Sequence, residues 1–256
     1  MKPPRFATVF EGVINAMACQ QLTLTLGIHL LNRLALAYGA AFGEGDETVH
    51  AVPRPEDLAQ RSPADLREFG FSRQKGRAMI ELAQSVEEGH LDLEDLASLP
   101  DDEAVTRLSE LHGVGRWTAE YVLLRGLGRT HIFPGDDVGA RNNLQRWLRL
   151  VKPLDYEGVR EVLSGWDGYG GLVYFHLLLD RLTEAGNLSE KETEEPGKDV
   201  VDVASEDSFP AIDAPSWTVV MGTGTPHPIR PQIVLTIGHS NRSLEEFLRL
   251  LQAHGV

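Results

Sequence analysis

Two adjacent carboxylates, Asp136 and Asp137, end a Gly/Pro loop near the middle of the chain. A carboxylate held in a dry pocket can stabilise positive charge on a substrate, and it can orient or deprotonate an attacking water. The structural alternative is helix capping, because Asp is a preferred N-cap residue and a helix is predicted from Val138. The two uses are compatible, because one of these acids can cap the helix while the other faces a reacting group.

Two aromatic residues, Trp117 and Tyr121, lie four positions apart just before this loop. That spacing places both rings on one face of a helix. Spacing alone favours packing in the core. A binding role would be to stack on a cationic, electron-poor group, an interaction that contributes about 0.5–2 kcal/mol.

A glycine-rich turn precedes the aromatic pair. Gly113 and Gly115 are two positions apart, and glycines permit a tight turn whose N–H groups can approach a partner closely. A helix is predicted over residues 116–125, so its first N–H groups form a potential anion site with Arg116 beside it. Phosphate is the natural anion for such a site.

Helices are predicted along most of residues 1–186, and residues 41–54 are predicted as loop from their Gly, Asp and Pro content. The predicted helices are 10–36 (two, or one broken), 55–60, 101–111, 116–125, 138–150, 156–163 and 171–185. Two more are predicted from their caps: Ser62 caps a helix with Pro63 at its first position, and Ser72 caps a helix that runs to Val86. No long segment alternates with a period of two, so the predicted fold class is all-α. Arg73, Lys75 and Arg77 begin one helix, where cations oppose its dipole; exposure is favoured for each, and a phosphate partner is the alternative.

Composition bounds the class of protein. The chain has 256 residues and a single cysteine, Cys19, which excludes a disulfide framework and a four-cysteine zinc or iron–sulfur site. No secretory leader pattern opens the sequence and no run of 18 apolar residues occurs in it. We therefore expect a cytoplasmic protein without membrane contact.

The charge does not by itself favour DNA as a partner. The formal net charge is −14, of which residues 1–186 carry −8 and residues 187–256 carry −6. DNA binding would need a local basic face instead. The candidate is residues 101–150, where seven arginines balance seven acids; an ordinary solvated helical surface fits that charge pattern equally well.

The amino-acid composition of the chain changes after residue 186. Residues 187–230 begin with an acidic stretch that has few large apolar residues, and they are predicted as a disordered linker. Residues 231–256 predict one strand and one helix, a partial β-α unit that cannot bury a core alone. The sequence TIGHS at 236–240 resembles the opening of the DUF488 family.

The segment LHGVGRWTAEYVLLRG, followed by FPGDD, is part of an ordered set of motifs. FEGVINAMACQQLTL and GFSRQKGRAMIELAQ precede it, and GLVYFHLLLDRL follows it. Together they resemble the helix-hairpin-helix-GPD (HhH-GPD) superfamily of DNA glycosylases, and within it the AlkA-type 3-methyladenine DNA glycosylases. The resemblance covers residues 5–186. It implies that residues 1–186 form a domain of two helical lobes that flips a base out of duplex DNA and hydrolyses its N-glycosidic bond.

The resemblance also implies a role for each motif residue. It makes Asp137 the catalytic carboxylate that faces the sugar, while Asp136 caps the next helix or orients its neighbour. It also makes Gln21 the wedge that fills the gap left by the flipped base. The base pocket would comprise Trp117, Tyr121, Tyr174 and His176. The DNA phosphates would be bound at Gly113, Gly115, Arg116 and Thr118. A structural Na⁺ or K⁺ would be held by the backbone carbonyls of Ser109, Leu111 and Val114, and no other cofactor is required. The implied partner is double-stranded DNA with alkylated purines of the 3-methyladenine or 7-methylguanine type, bound by a monomer.

Trp117 occupies the position where some superfamily members carry a Schiff-base lysine, and no Lys occurs between residues 108 and 137. We therefore expect water as the nucleophile and no strand cleavage. Two alternatives remain: a non-catalytic hairpin module that binds DNA, and an oxidised-base glycosylase, against which the missing Lys argues. Aliphatic Leu178 lies near the position of an aromatic pocket residue in the family, so the range of excised bases stays open.

Overall fold

The computed structural model describes residues 3–43, 48–166 and 168–184, without the side chains of 182–184. The predicted linker at 187–230 and the DUF488-like segment at 231–256 lie outside these residues. Within the described ranges the α-helices are α1 (Val9–Cys19), α2 (Leu24–Tyr38), α3 (Pro55–Ala59), α4 (Pro63–Arg67), α5 (Arg73–Glu87), α6 (Asp101–Ser109), α7 (Arg116–Arg125), α8 (Val138–Trp147), α9 (Tyr156–Leu163) and α10 (Gly170–Glu184). Two short 3₁₀ turns, Glu94–Ser98 and Ser164–Trp166, complete the helical part.

The prediction of an all-α fold is confirmed, with one small exception in the segment predicted as loop. Strands β1 (Ala41–Phe42) and β2 (Val49–His50) pair antiparallel, with Ala41 opposite His50. Strands of two residues are too short to produce a readable alternation of polar and apolar positions, which explains why the pattern did not reveal them. In the described part of the chain, no helix combines the length and apolarity needed to cross a bilayer.

The buried side chains form two hydrophobic clusters, and α7 contributes to both. The first cluster is built from α1 to α7 and includes Ile14, Met17, Leu34, Met79 and Leu123. The second comprises Leu124, Phe133, Ala140, Leu144, Val159, Leu163, Val173, Tyr174 and Leu177. Because neighbouring residues of α7 point into different clusters, this helix runs along the junction of the two lobes.

The chain between α7 and α8 folds back toward α7. The backbone N–H of Arg129 donates to the Leu123 carbonyl, and its side chain donates to the carbonyls of Leu96 and Leu99. Farther along, Phe133 is buried in the second cluster. The two carboxylates of the Gly/Pro loop then meet the first half of α7, where Arg116 binds Asp136 and Trp117 binds Asp137.

Lys75 corrects the expectation of exposed basic residues at the start of α5. Its side chain is only 6% exposed, and its Nζ donates to the Ala18 carbonyl at 3.2 Å and to the Gln20 carbonyl. Burial lowers the pKa of Lys75 to about 8. Lys75 therefore donates hydrogen bonds to carbonyl groups at the end of α1. The sequence of α5 alone could not reveal partners on another helix.

Candidate active site

Asp137 is the N-cap residue of α8, and its side chain is buried. Its Oδ1 accepts the Ala140 N–H at 2.8 Å. Its Oδ2 accepts both the Tyr174 hydroxyl at 2.8 Å and the Trp117 Nε1–H at 3.2 Å. Three donors from three parts of the chain thus fix the orientation of the carboxylate, and the positive end of the α8 dipole lies beside it.

The roles predicted for the two carboxylates are partly wrong. Asp137, not Asp136, caps α8. Asp136 accepts two hydrogen bonds from Arg116, at 2.6 and 2.9 Å. Asp136 is therefore neutralised by a cation, and the buried carboxylate next to the aromatic pair is Asp137.

Trp117 and Tyr121 stack on each other, with ring centroids 5.4 Å apart and an interplanar angle of 26°. Both rings are partly buried against the first cluster. The Tyr121 hydroxyl donates to Asn15 Oδ1 at 3.0 Å, and burial raises the pKa of Tyr121, so the hydroxyl keeps its proton. A continuous line of contacts runs from Asp137 through the two rings to Asn15 on α1.

Tyr174 and His176 both lie on α10, but the structure places them differently. The ring of Tyr174 packs edge-on against Phe133 at 5.4 Å, and its hydroxyl reaches Asp137. Burial, followed by the nearby Asp137 charge, raises the pKa of Tyr174 well above its usual value, so it acts as a donor. His176 is buried two positions later, and burial lowers its pKa to about 4. Residues two apart on a helix do not share a face, so His176 points away from the side of Tyr174.

The hairpin turn between α6 and α7 depends on Gly113. Its φ of +79° lies in the left-handed region, and a Cβ there would stand 2.8 Å from the Ala78 Cβ. Gly115 is the N-cap residue of α7 and supplies no side-chain cap. The first N–H groups of α7 are therefore left for an external acceptor, and a Cβ at Gly115 would meet nothing within 4 Å.

Two residues predicted to bind phosphate make intramolecular contacts with their side chains. The Arg116 guanidinium pairs with Asp136 and lies 3.8 Å from the ring centroid of Tyr156. Thr118 is buried, and its Oγ1 accepts a hydrogen bond from Gln20 Nε2. For Thr118, only the backbone N–H stays available for a phosphate.

The predicted wedge, Gln21, lies in the turn that follows α1. It is exposed and adopts a φ of +55°, which is uncommon for a residue other than glycine. Its neighbour Gln20 fixes this turn, because Gln20 Nε2 also donates to the Gly113 carbonyl at 2.9 Å. The turn that bears Gln21 is thereby tied directly to the hairpin.

The carbonyls predicted to hold a monovalent cation belong to one short stretch of backbone. Ser109 ends α6, and Leu111 and Val114 lie in the turn after it. The Leu111 carbonyl accepts the Val114 N–H at 3.0 Å, which leaves it a second lone pair. Carbonyl oxygens are suitable ligands for Na⁺ or K⁺, so the donor set fits such an ion.

A family model described as HhH-GPD superfamily base excision DNA repair protein matches residues 14–167, more than half of the chain. The chain belongs to the HhH-GPD superfamily. The match contains the hairpin, the aromatic pair and Asp137. The resemblance drawn from the motifs is thereby confirmed at the level of the superfamily.

Named HhH-GPD relatives share about three tenths of their aligned residues with this chain. The putative DNA-3-methyladenine glycosylase YfjP of Bacillus subtilis is 31% identical over 177 residues, which cover 69% of this chain and 60% of YfjP. DNA-3-methyladenine glycosylase 2 of Escherichia coli is 30% identical over 139 residues, covering 54% of this chain and 48% of that protein. The solved 3-methyladenine DNA-glycosylase from Archaeoglobus fulgidus superposes with a TM-score of 0.61 at 28% identity, covering 70% of this chain and 60% of that one. The chain thus spans 60% or less of the length of these proteins.

The motif residues did not reveal three further members of this HhH-GPD site: Asn15, Glu120 and Tyr156. Glu120 is buried, and it accepts the Gly135 N–H and the Tyr156 hydroxyl. A signal was present, since Glu120 is a lone acid among the apolar and aromatic residues of α7. Its partners are 15 and 36 positions away, so the sequence could mark the residue but not its contacts.

Proposed function

We propose that this chain is a monofunctional DNA glycosylase that hydrolyses the N-glycosidic bond of alkylated purines in duplex DNA. One observation carries the proposal: the buried Asp137 carboxylate contacts Trp117, which stacks on Tyr121. A carboxylate and electron-rich rings are what the excision of a cationic base requires. The names of the relatives, which are 3-methyladenine glycosylases, support the substrate class.

In the proposed reaction, Gln21 fills the gap from which the damaged nucleotide is extruded, at a cost of a few kcal/mol. The cationic base stacks on the aromatic pair, with Tyr174 at the edge of the pocket; His176, on another face of α10, is left out of the proposed pocket. Asp137 stabilises the positive charge that builds on the deoxyribose and orients water, which is the nucleophile. Trp117 joins the two halves of this site, because one edge of its indole donates to Asp137 while its ring stacks on Tyr121.

The DNA backbone would be gripped mainly by the free N–H groups at the start of α7, near Gly113, Gly115 and Thr118. Arg116 adds a charge already balanced by Asp136. The carbonyls of Ser109, Leu111 and Val114 would hold a Na⁺ or K⁺ that bridges to a phosphate. We further propose that the protein acts as a monomer in the cytoplasm and requires no other cofactor.

The absence of lyase activity is proposed from the positions of the lysines. Only Lys75 and Lys152 fall in the described residues. Lys75 is occupied with carbonyls at the end of α1, and Lys152 is exposed after α8. Since Schiff-base chemistry needs an amine at the sugar, the released base should leave an intact strand with an abasic site.

The test is base release from methylated duplex DNA by the parent chain and by Asp137→Asn. Asn keeps the cap of α8 because it is as good an N-cap residue as Asp, yet it lacks the charge, so we expect release to fall to background. Asp155→Asn is the matched control, since Asp155 caps another helix, α9, by accepting the Gly158 N–H at 2.7 Å, and has no hydrogen bond to Trp117 or Tyr174. Release by Asp137→Asn at the parent rate would refute the assignment.

The second candidate function is a DNA-binding module without catalysis. It is favoured by the hydrogen bonds of Asp137, because both of its oxygens already serve protein donors as a structural cap would. Salt-dependent binding to duplex DNA without release of any base by the parent chain would decide for this candidate.

A further inference from the structure

Glu120 is a buried carboxylate that the proposed reaction does not use. It lies on α7 between the two rings of the aromatic pair in sequence, and its side chain is 5% exposed. Its Oε2 accepts the N–H of Gly135 at 3.1 Å, and its Oε1 accepts the hydroxyl of Tyr156 at 2.5 Å. A carboxylate of the hairpin helix therefore holds the backbone of the loop two residues before Asp137.

The contacts of Glu120 belong to a closed circle of contacts around the loop. Gly135 is followed by Asp136, which is bound by Arg116, and the Arg116 guanidinium lies on the ring of Tyr156. Tyr156 also packs against Gly135, where an added Cβ would stand 2.7 Å from the ring. The clamp ring, as we call Arg116, Glu120, Gly135, Asp136 and Tyr156, joins α7, the loop and α9.

Few backbone hydrogen bonds hold the loop, so contacts from side chains contribute more to its conformation. Residues 133–137 contain no helix or strand, and the Asp137 N–H donates to the Pro134 carbonyl at 3.0 Å in a local turn. Arg141 adds a hydrogen bond of 3.3 Å to the Gly135 carbonyl. Three donors fix the side chain of Asp137 directly. The side chains that hold Gly135 and Asp136 fix the backbone just before it, and so contribute to its position.

Glu120 changes its charge near neutral pH. Burial raises its pKa to about 7, against the opposing effects of the hydrogen bonds from Tyr156 and Gly135. Among charged neighbours, Asp136 raises this pKa and Arg116 lowers it. Because burial outweighs these hydrogen bonds and disfavours the charged form, ionised Glu120 is held less favourably in this site than protonated Glu120. Ionisation therefore favours a looser loop, in which the carboxylate reaches water.

We infer that Glu120 is a positioning residue for Asp137, and that base release by this chain depends on the charge of Glu120 through its hold on Gly135. The inference rests on the proposed function for its second half. The expected readouts are a loop that loosens, and a rate that falls, as Glu120 loses its proton.

The experiment measures single-turnover base release from methylated duplex DNA across neutral pH. We expect the parent rate to fall severalfold as Glu120 ionises, while the neutral Glu120→Gln keeps the rate that the parent has at low pH and binds DNA as the parent does. Tyr156→Phe removes a hydrogen bond that lowers the pKa of Glu120, so the midpoint of the fall should move to higher pH. Glu157→Gln is the matched control, because it removes a charge on the same helix from a side chain that is 76% exposed; its profile should equal that of the parent.

A second readout does not require activity. In the full chain labelled with ¹⁵N, the Gly135 amide resonance should titrate near neutral pH in the parent and stay constant in Glu120→Gln. A parent-like fall in the Glu120→Gln rate, or an unshifted midpoint in Tyr156→Phe, would overturn the inference. If the parent releases no base, the proposed function is wrong, and the Gly135 titration still decides whether Glu120 holds the loop.

Discussion

The contact between Tyr174 and Asp137 predicts that Tyr174→Phe destabilises the protein more than removal of a comparable hydroxyl elsewhere. The substitution deletes the 2.8 Å hydrogen bond to Asp137 Oδ2 and keeps the ring that packs on Phe133. Hydrogen bonds to charged groups contribute about 1.5–3 kcal/mol, and neutral ones about 0.5–1.5 kcal/mol. Because Asp137 is 3% exposed, water can replace the lost donor only in part, and we expect a loss of about 2 kcal/mol in the free energy of unfolding.

The matched control is Tyr121→Phe, which removes a hydroxyl that donates to the neutral amide of Asn15 at 3.0 Å. Its expected cost is about 1 kcal/mol. Urea denaturation followed by circular dichroism measures both, with an unchanged m-value as the check that unfolding stays comparable. A double-mutant cycle with Asp137→Asn then isolates the contact, and we expect a coupling energy of at least ~1 kcal/mol.

The reasoning fails if Tyr174→Phe costs no more than Tyr121→Phe, or if the cycle gives coupling energies near zero. The first result would mean that the hydroxyl does not donate to a buried charge. The second would mean that Tyr174 contributes to stability through packing in the second cluster alone. Either result would also remove one of the donors that we hold responsible for the orientation of Asp137.

Three further predictions concern the hairpin, Glu120 and the DNA interface. Gly113→Ala should cost at least ~1–2 kcal/mol in thermal or urea unfolding, because its φ is +79° and Ala78 is in the way; Gly115→Ala, where the added Cβ meets nothing within 4 Å, is the control. The raised pKa of Glu120, about 7 against 4.5, means that its contribution to stability is present below pH 4.5 and is lost as pH rises to about 7. That loss amounts to about 3 kcal/mol, and a stability profile of Glu120→Gln that falls as steeply as the parent profile would contradict it. Binding to duplex DNA should weaken with salt along a shallow slope of about −3 in a plot of log K against log salt, and a slope of −6 or steeper would show that more cations reach the phosphates.

The shallow slope follows from where the arginines of residues 101–150 point. Arg116 pairs with Asp136, and Arg129 pairs with Asp101 at 2.6 Å. Arg141 lies 3.9 Å from Asp136, and Arg125 donates to the Pro4 carbonyl. Three exposed arginines have no ion pair with another described residue: Arg107, Arg146 and Arg149. The local basic face predicted from composition is therefore smaller than seven arginines suggest, which places more of the phosphate binding on backbone N–H groups.

The elements that could be predicted from the sequence are those whose cause is local. Ser62 caps α4 and Ser72 caps α5, each by accepting the N–H of the residue three positions later. Trp117 and Tyr121 share a face because a helix brings residues four apart together. These relations involve residues a few positions apart, so periodicity and capping residues were enough to predict the helices, the hairpin and the aromatic pair.

The elements that could not be predicted depend on partners that are distant in sequence. Tyr174 reaches Asp137 across 37 positions, and Lys75 reaches Ala18 across 57. The two neighbouring aspartates show the limit clearly, because either could cap a helix that begins at Val138. Their roles are decided by donors elsewhere, Arg116 for Asp136 and Tyr174 for Asp137, and no local pattern states which donor meets which acid.

The residues of the candidate site all have structural partners as well, and this has a physical consequence. Asp137 caps α8, Trp117 packs on the first cluster, and Tyr174 packs in the second. Side chains held in this way need little reorganisation when charge develops on a substrate, which is the condition under which fixed dipoles and charges lower a barrier most. The same contacts join the two lobes, because Trp117 and Tyr174 meet on a single oxygen of Asp137. A relative displacement of the lobes would separate those donors, so the orientation of the carboxylate depends on how α7 and α10 are packed.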